Sequence, residues 1–329
     1  MAGIAVIRGL ALTTLLALPA QADVAEAVND VILPAYDRLA ASSAALADAA
    51  HADCTASTLH AAYQAVWDDW ARIGFLHLGP VETDGRTLAI AFWPDAKSSG
   101  LRAQQALIDA GAEAANDPTT FADLSVATRG LSGLERLLYP SSITGDEDVL
   151  CRLRLATAAD LARMTAEIRA EWEGFAPALL APGAEGNTSY LTEDEARQAV
   201  FTQVMAGLEY AADTRLGRPL GSFEKPRPER AEAIAAGRSL RNVTLSLQGL
   251  RDLALALDPD ASATRAAFDH AIGLAEGLDD PVFANVADPQ GRLKVEILQQ
   301  AIRNARDTVQ AEIGSAFGLS MGFNSQDGD

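Results

Sequence analysis

Apolar residues return every three or four positions along most of this 329-residue chain, which is the period of one buried face of an α-helix. Leu161, Met164, Ile168, Trp172, Phe175 and Leu179 form one stripe, with Arg163, Glu167 and Glu173 between them. Leu240, Val243, Leu247, Leu250, Ala254 and Leu257 form a second, and Val200, Val204, Leu208 and Ala212 a third. Leu298, Ala301, Ala305, Val309 and Ile313 make another near the end. No run alternates apolar and polar residues for long enough to build a sheet, and only 6% of residues are aromatic, which favours helices over strand chemistry. The expectation is an all-α fold of about eight or nine helices, arranged as two antiparallel helical bundles packed side by side.

Local chemistry sets the boundaries. Thr192-x-x-Glu195 reads as a capping box, Asp146-Glu147-Asp148 places negative charge at a helix start, and Pro182-Gly183 ends a helix. Pro34 falls inside a first helix over about 24–50 and predicts a kink there. The irregular stretches are 76–96, 140–147, 182–191, 217–227 and the tail from 318. The loop at 183–191 divides the chain best, giving an N-terminal bundle over 23–182 and a C-terminal bundle over 191–329.

Residues 1–22 read as a secretory signal: one charge at Arg8, a short apolar core from Leu10 to Leu18, and the small-x-small sequence Ala20-Gln21-Ala22. Cleavage is expected between Ala22 and Asp23, with the product in the periplasm. The segment is too short to span a bilayer, so stable membrane insertion is not expected. The chain carries 26 basic against 45 acidic residues, a net charge of −19 that becomes −20 once Arg8 leaves with the signal. Such a balance argues against nucleic acid and anionic lipid as partners. An exported chain meets an oxidising compartment, and Cys54 and Cys151 are its two cysteines. A disulfide between Cys54 and Cys151 is the expectation, with two separate buried thiols as the alternative.

No His pair has the i, i+4 spacing of a helical metal site, no nucleophile elbow is present, and no Gly-rich loop is built to cradle phosphate. Among His51, His60, His77 and His270, His77 stands out, because Arg72, His77 and Glu82 gather where a helix gives way to a loop. A His there also serves commonly as a cap. The segment from Arg129 to Pro140 is the most suggestive. Ser132 and Glu135 lie three apart on one helix face, Leu131, Leu134 and Leu138 supply a buried stripe, and Gly130 and Gly133 permit close approach of another helix. A buried Glu135 would need a cation, a donor or a metal; an exposed one would sit between Arg129 and Arg136. Spacing leaves both readings open.

Gly130-Leu-Ser132-Gly-Leu-Glu135-Arg-Leu-Leu-Tyr139 resembles the Gly-x-His-x-x-Glu signature of the imelysin-like family, which includes the iron-regulated protein A group. Trp70-Ala-Arg72 before Gly79-Pro80-Val-Glu82, Arg215-Leu-Gly-Arg-Pro219-Leu-Gly221 and the tail from Leu319 to Asp329 match as well. The resemblance implies two helical bundles, export, a link to iron supply, and a metal or ligand site between the bundles. Its cofactor would be iron or another divalent metal, with Glu135 and His77 as metal ligands and Glu135, Ser132, Arg72, His77, Glu82 and Arg129 lining a ligand pocket. Its partners would be envelope iron-transport components. Here Ser132 stands at the signature His position, and a hydroxyl is a weak transition-metal ligand beside imidazole.

The family is filed among metallopeptidases, yet zinc hydrolysis needs about three protein ligands and an open position, which a Glu and a Ser do not supply. The first expectation is therefore a non-catalytic periplasmic binding protein associated with iron acquisition. The alternatives are a metallopeptidase of the imelysin type and an envelope protein-protein interaction scaffold.

Overall fold

The structure, a computed structural model, describes residues 23–95, 97–140 and 142–320. The expected export signal, Ala22 at the cleavage position and the last nine residues of the family-like tail lie outside them.

The longer helices of the described residues are α1 (Leu33–Ala52), α2 (Ala56–Ile73), α3 (Ser99–Asp109), α4 (Gly130–Leu138), α5 (Glu147–Leu180), α6 (Glu193–Glu209), α7 (Ser239–Leu257), α8 (Ser262–Glu276) and α9 (Pro289–Val309), and the four long apolar stripes fall on α5, α7, α6 and α9, the last two running on into the π-helical segments that follow. Short helical turns fill the connections, and the described residues contain no strand, only an isolated bridge between Ser222 and Lys225. Leu161, Met164, Ile168, Trp172 and Leu179 of the first stripe are buried on α5. The α7 stripe is buried throughout.

The expected cap forms at α6, where the Glu195 N–H donates to Thr192 Oγ1 at 3.2 Å, while the Glu195 carboxylate reaches one residue further back, to the N–H of Leu191 at 2.6 Å. A full capping box lies at Asp23, where Asp23 Oδ1 accepts from Ala25 N and Glu26 Oε2 from Asp23 N. Pro34 differs from expectation. It sits in the first turn of α1, directly after a π-helical segment, Ala27–Ile32. The backbone is helical without a break from Val24 through the π segment into α1, so Pro34 lies inside a longer helix, and the widened π turn just before it takes up the change of register that a proline imposes.

In the N-terminal half α1 packs on α2 and α5, and α4 on the same two helices. In the C-terminal half α7 packs on α6 and α8, and α9 on both of those. The halves meet where α7 also packs along α2. Gly249 makes that approach possible, because a Cβ there would stand 1.9 Å from the backbone oxygen of Arg72. One apolar cluster runs from Val24 to Leu319 through both halves, and a smaller one around Phe121 and Leu153 sits under α3. Cys54 and Cys151 form a disulfide, with Cα atoms 5.3 Å apart. It ties the start of α2 to the first turns of α5.

Candidate functional site

Helix α4 owes its position to Gly130. Its φ of +60° is open to glycine, and a Cβ there would fall 2.1 Å from the carbonyl oxygen of Ala89. The helix therefore starts hard against the short turn Arg86–Ile90. Leu131, Leu134 and Leu138 are buried as the stripe predicts, and Ser132 is buried with them. Glu135, one turn on from Ser132, is half-buried and points to the other half of the molecule, where its Oε1 accepts the N–H of Ala236 at 3.1 Å. Loss of water pushes its carboxyl pKa above the ordinary value. The backbone of Ala236 and Ala235 and the charge of Arg136 act against that rise, and the charge of Glu232 adds to it.

A polar network surrounds this contact. Gln64 of α2 donates to the carbonyl of Ala236 at 3.1 Å and to the hydroxyl of Tyr139 at 2.8 Å, so both sides of the 231–237 loop are held by the N-terminal half. Arg238, with a fully buried side chain, donates to Gln64, to Asp68 at 2.8 Å and to Asn242 at 3.0 Å. Asn242 then donates to Glu232, whose Oε2 lies 3.1 Å from Arg215 Nε. Tyr63 donates to the Leu131 carbonyl and accepts from Trp67 Nε1. The two carboxylates of this network differ: Glu135 reaches across the junction to a backbone N–H, and Glu232 pairs with Arg215 within the C-terminal half.

The other expected pocket residues are placed elsewhere. Arg129 is buried at the start of α4, donates to the carbonyl of Ala122 and lies 3.6 Å from Asp160 Oδ2. His77 Nδ1 is 3.2 Å from Glu82 Oε1, and both side chains are about half exposed, at 53% and 48%. Arg72 is half-buried in the last turn of α2, its carbonyl under Gly249. The groups that act on Glu135 are instead the backbone of Ala236, the charge of Arg136 and the backbone of Ala235, with Glu232 a nearby like charge. Sequence reasoning missed Gln64, Asp68, Arg215, Glu232, Arg238 and Asn242. A signal was available for two pairs: Gln64/Asp68 and Arg238/Asn242 are polar residues four apart beside apolar stripes.

No three His, Cys, Asp or Glu side chains among the described residues come together in a way that could hold a metal ion. Around Glu135 the groups that favour its charge are the backbone N–H groups of Ala236 and Ala235 and the nearby charge of Arg136, which suit an anion or a polar organic group better than a transition metal. The residues present do not fit the divalent metal that the family resemblance implies.

The all-helical fold, with the Gly130-x-Ser132-x-x-Glu135 segment at a polar seam between its two halves, places the chain in the imelysin class. The imelysin family model, a peptidase M75 grouping, matches residues 32–309, and the chain belongs to this family. It is 24% identical over 318 residues to iron-regulated protein A of Synechococcus elongatus, covering 87% of this chain and 83% of that one. Two solved structures share the fold. An imelysin-like protein from Psychrobacter arcticum superposes with a TM-score of 0.76 at 20% identity, covering 91% of this chain and 96% of its own. A protein described as an iron-regulated protein A precursor from Parabacteroides distasonis gives 0.66 at 14% identity, covering 89% and 94%.

Proposed function

We propose that this chain is an exported, non-catalytic binding protein associated with iron acquisition, and that its ligand sits at the junction of the two helix sets near Glu135. The observation that carries the reading is the half-buried Glu135, held across the junction by Ala236 and set in a continuous polar network. A carboxylate with a raised pKa at such a place is costly to maintain for packing alone. Support for iron comes from the name of the Synechococcus relative. Support for export comes from the signal-like residues 1–22 and from the disulfide. No helix of the described residues is long and apolar enough to cross a membrane. Envelope iron-transport components remain the proposed partners.

The peptidase grouping of the family favours a second reading, hydrolysis with a bound metal. Ser132 at the signature His position and the donor set around Glu135 weigh against it. One experiment separates the two. Metal analysis of protein purified without chelator is followed by calorimetric titration with ferrous iron, ferric iron and the chelate ferric citrate, and by a casein-degradation assay with and without zinc. Saturable binding of ferric citrate that changes several-fold in Glu135→Gln, with no chelator-sensitive degradation, supports the binding protein. Zinc-restored degradation lost in Glu135→Gln rejects it.

A further inference from the structure

Next to the Glu135 network lies a group of side chains that the reading above leaves unexplained. Tyr210–Leu216 is a π-helical segment, a rare local structure found often at functional sites. It places Arg215 against Tyr210, with the guanidinium carbon 5.2 Å from the ring centroid. Arg215 is buried, at 4% exposure. Its Nε is close enough to Glu232 for an ion pair but is not aligned for a hydrogen bond, and both Nε and Nη1 lack an acceptor. Arg218 follows one turn later, half-buried, with a buried Nε that also lacks an acceptor. It makes no ion pair with a carboxylate among the described residues. Its guanidinium lies 5.8 Å from the ring of Trp93, which in turn meets Tyr210 edge-on at 6.3 Å.

Buried guanidinium N–H groups without acceptors are costly, and two of them opening on the same aromatic pair form a fork suited to an oxyanion. Glu232, 3.1 Å from Arg215 Nε, stands close by and disfavours a dianion such as phosphate. Trp93 and Tyr210, both half-exposed, supply flat apolar walls on the approach. We infer that Arg215 and Arg218 bind the carboxylate of a ligand whose planar, apolar body packs against Trp93 and Tyr210. This inference rests on the junction being a ligand site, but not on iron being the ligand.

Calorimetric titration of the full chain with benzoate tests it, with inorganic phosphate as the comparison anion. Saturable benzoate binding is expected, weakened about tenfold or more in Arg218→Gln, because a charge-assisted pair is lost. Arg265→Gln, on the exposed face of α8, should leave it unchanged. Arg218→Lys keeps the charge and loses the planar fork, so it should bind benzoate several-fold more weakly while melting like wild type. Trp93→Phe should weaken benzoate by less than Arg218→Gln. Absence of saturable benzoate binding, equal affinity in Arg218→Gln, or tighter binding of phosphate overturns the inference. Iron titration of the same samples keeps the two questions apart: iron binding without benzoate binding defeats this site alone, and benzoate binding without iron binding defeats the iron reading alone.

Discussion

Glu135 Oε1 accepts the backbone N–H of Ala236 at 3.1 Å, across 101 residues of sequence. Gln64 donates to the carbonyl of that same residue, so one peptide of the 231–237 loop is gripped from α4 and from α2. The seam between the two halves is therefore polar and directional at this point, whereas along Gly249 and Arg72 it is a close backbone approach. A carboxylate serving both as a structural acceptor and as part of a ligand site can be separated into its two roles by substitution.

Glu135→Gln retains an oxygen for Ala236 and removes the charge; Glu135→Ala removes both. The alanine variant should lose about 1–3 kcal/mol, since it leaves a buried N–H unpaired, and the glutamine variant should fold with near wild-type stability. The pH dependence has a definite sign. Desolvation raises the folded pKa of Glu135 above the ordinary value of 4.5, so the folded state holds its proton more tightly. This group's contribution then declines as pH rises from about the unfolded pKa through the folded one, and is constant above. Urea unfolding across that window should show wild type losing stability relative to Glu135→Gln. A difference that stays flat with pH would remove Glu135 from the buried network.

Asp68 titrates in the opposite sense. Burial works against its ionisation, but hydrogen bonds from Arg241 and Arg238 outweigh it and hold the carboxyl below the ordinary value. Its contribution is present above the unfolded pKa near 3.8 and is lost as pH falls through the lower folded pKa. Asp68→Asn leaves the fully buried Arg238 side chain without its carboxylate. The expected loss at neutral pH is about 3 kcal/mol, at the lower end for such a pair because Asp68 remains 28% exposed. Chemical denaturation at neutral pH and in acid checks both parts, and the loss should shrink in acid.

Helices were legible because their signal is local. The stripes on α5, α6, α7 and α9 repeat within a few residues, and burial follows them at every named position but Phe175, which is half-buried. Helix α3 was not, since Gln104 occupies a fully buried place in it and breaks the apolar spacing; its amide donates to the Gly133 carbonyl and it accepts from Arg136. The three π-helical segments, Ala27–Ile32, Tyr210–Leu216 and Gln310–Gly314, leave no mark in residue type that the 3.6 period can detect. Glu135 drew attention through its small neighbours, but its partners come from a loop in the other half. Arg238 meets Gln64 across 174 residues, a pairing that no local spacing encodes.

The Cys54–Cys151 bridge closes a loop of sequence separation 97. Limiting the unfolded chain over that span stabilises the fold by about 2–5 kcal/mol. Thiol titration of the denatured, unreduced protein should find no free thiol, and Cys54→Ser/Cys151→Ser should shift the urea midpoint down by that amount. Two free thiols, or a double variant as stable as wild type, would contradict the bridge.

The seam between α2 and α7 makes a prediction in which two opposing effects decide the sign. Alanine is the better helix former by about 1 kcal/mol in a helix interior, so Gly249→Ala on α7 should stabilise if nothing crowded it. The added Cβ, however, would stand 1.9 Å from the Arg72 oxygen and 3.1 Å from Phe75 Cε1. The first of these atoms is backbone and cannot rotate away, so the helices must part, at a cost of about 1–3 kcal/mol or more. The net effect is destabilising. Gly273 on α8 is the control, because a Cβ there meets nothing within 4 Å, and Gly273→Ala should stabilise by about 0.5–1 kcal/mol. Urea midpoints moving in opposite directions for the two variants confirm the close approach; if Gly249→Ala stabilises as Gly273→Ala does, α7 does not lie against the end of α2 as described.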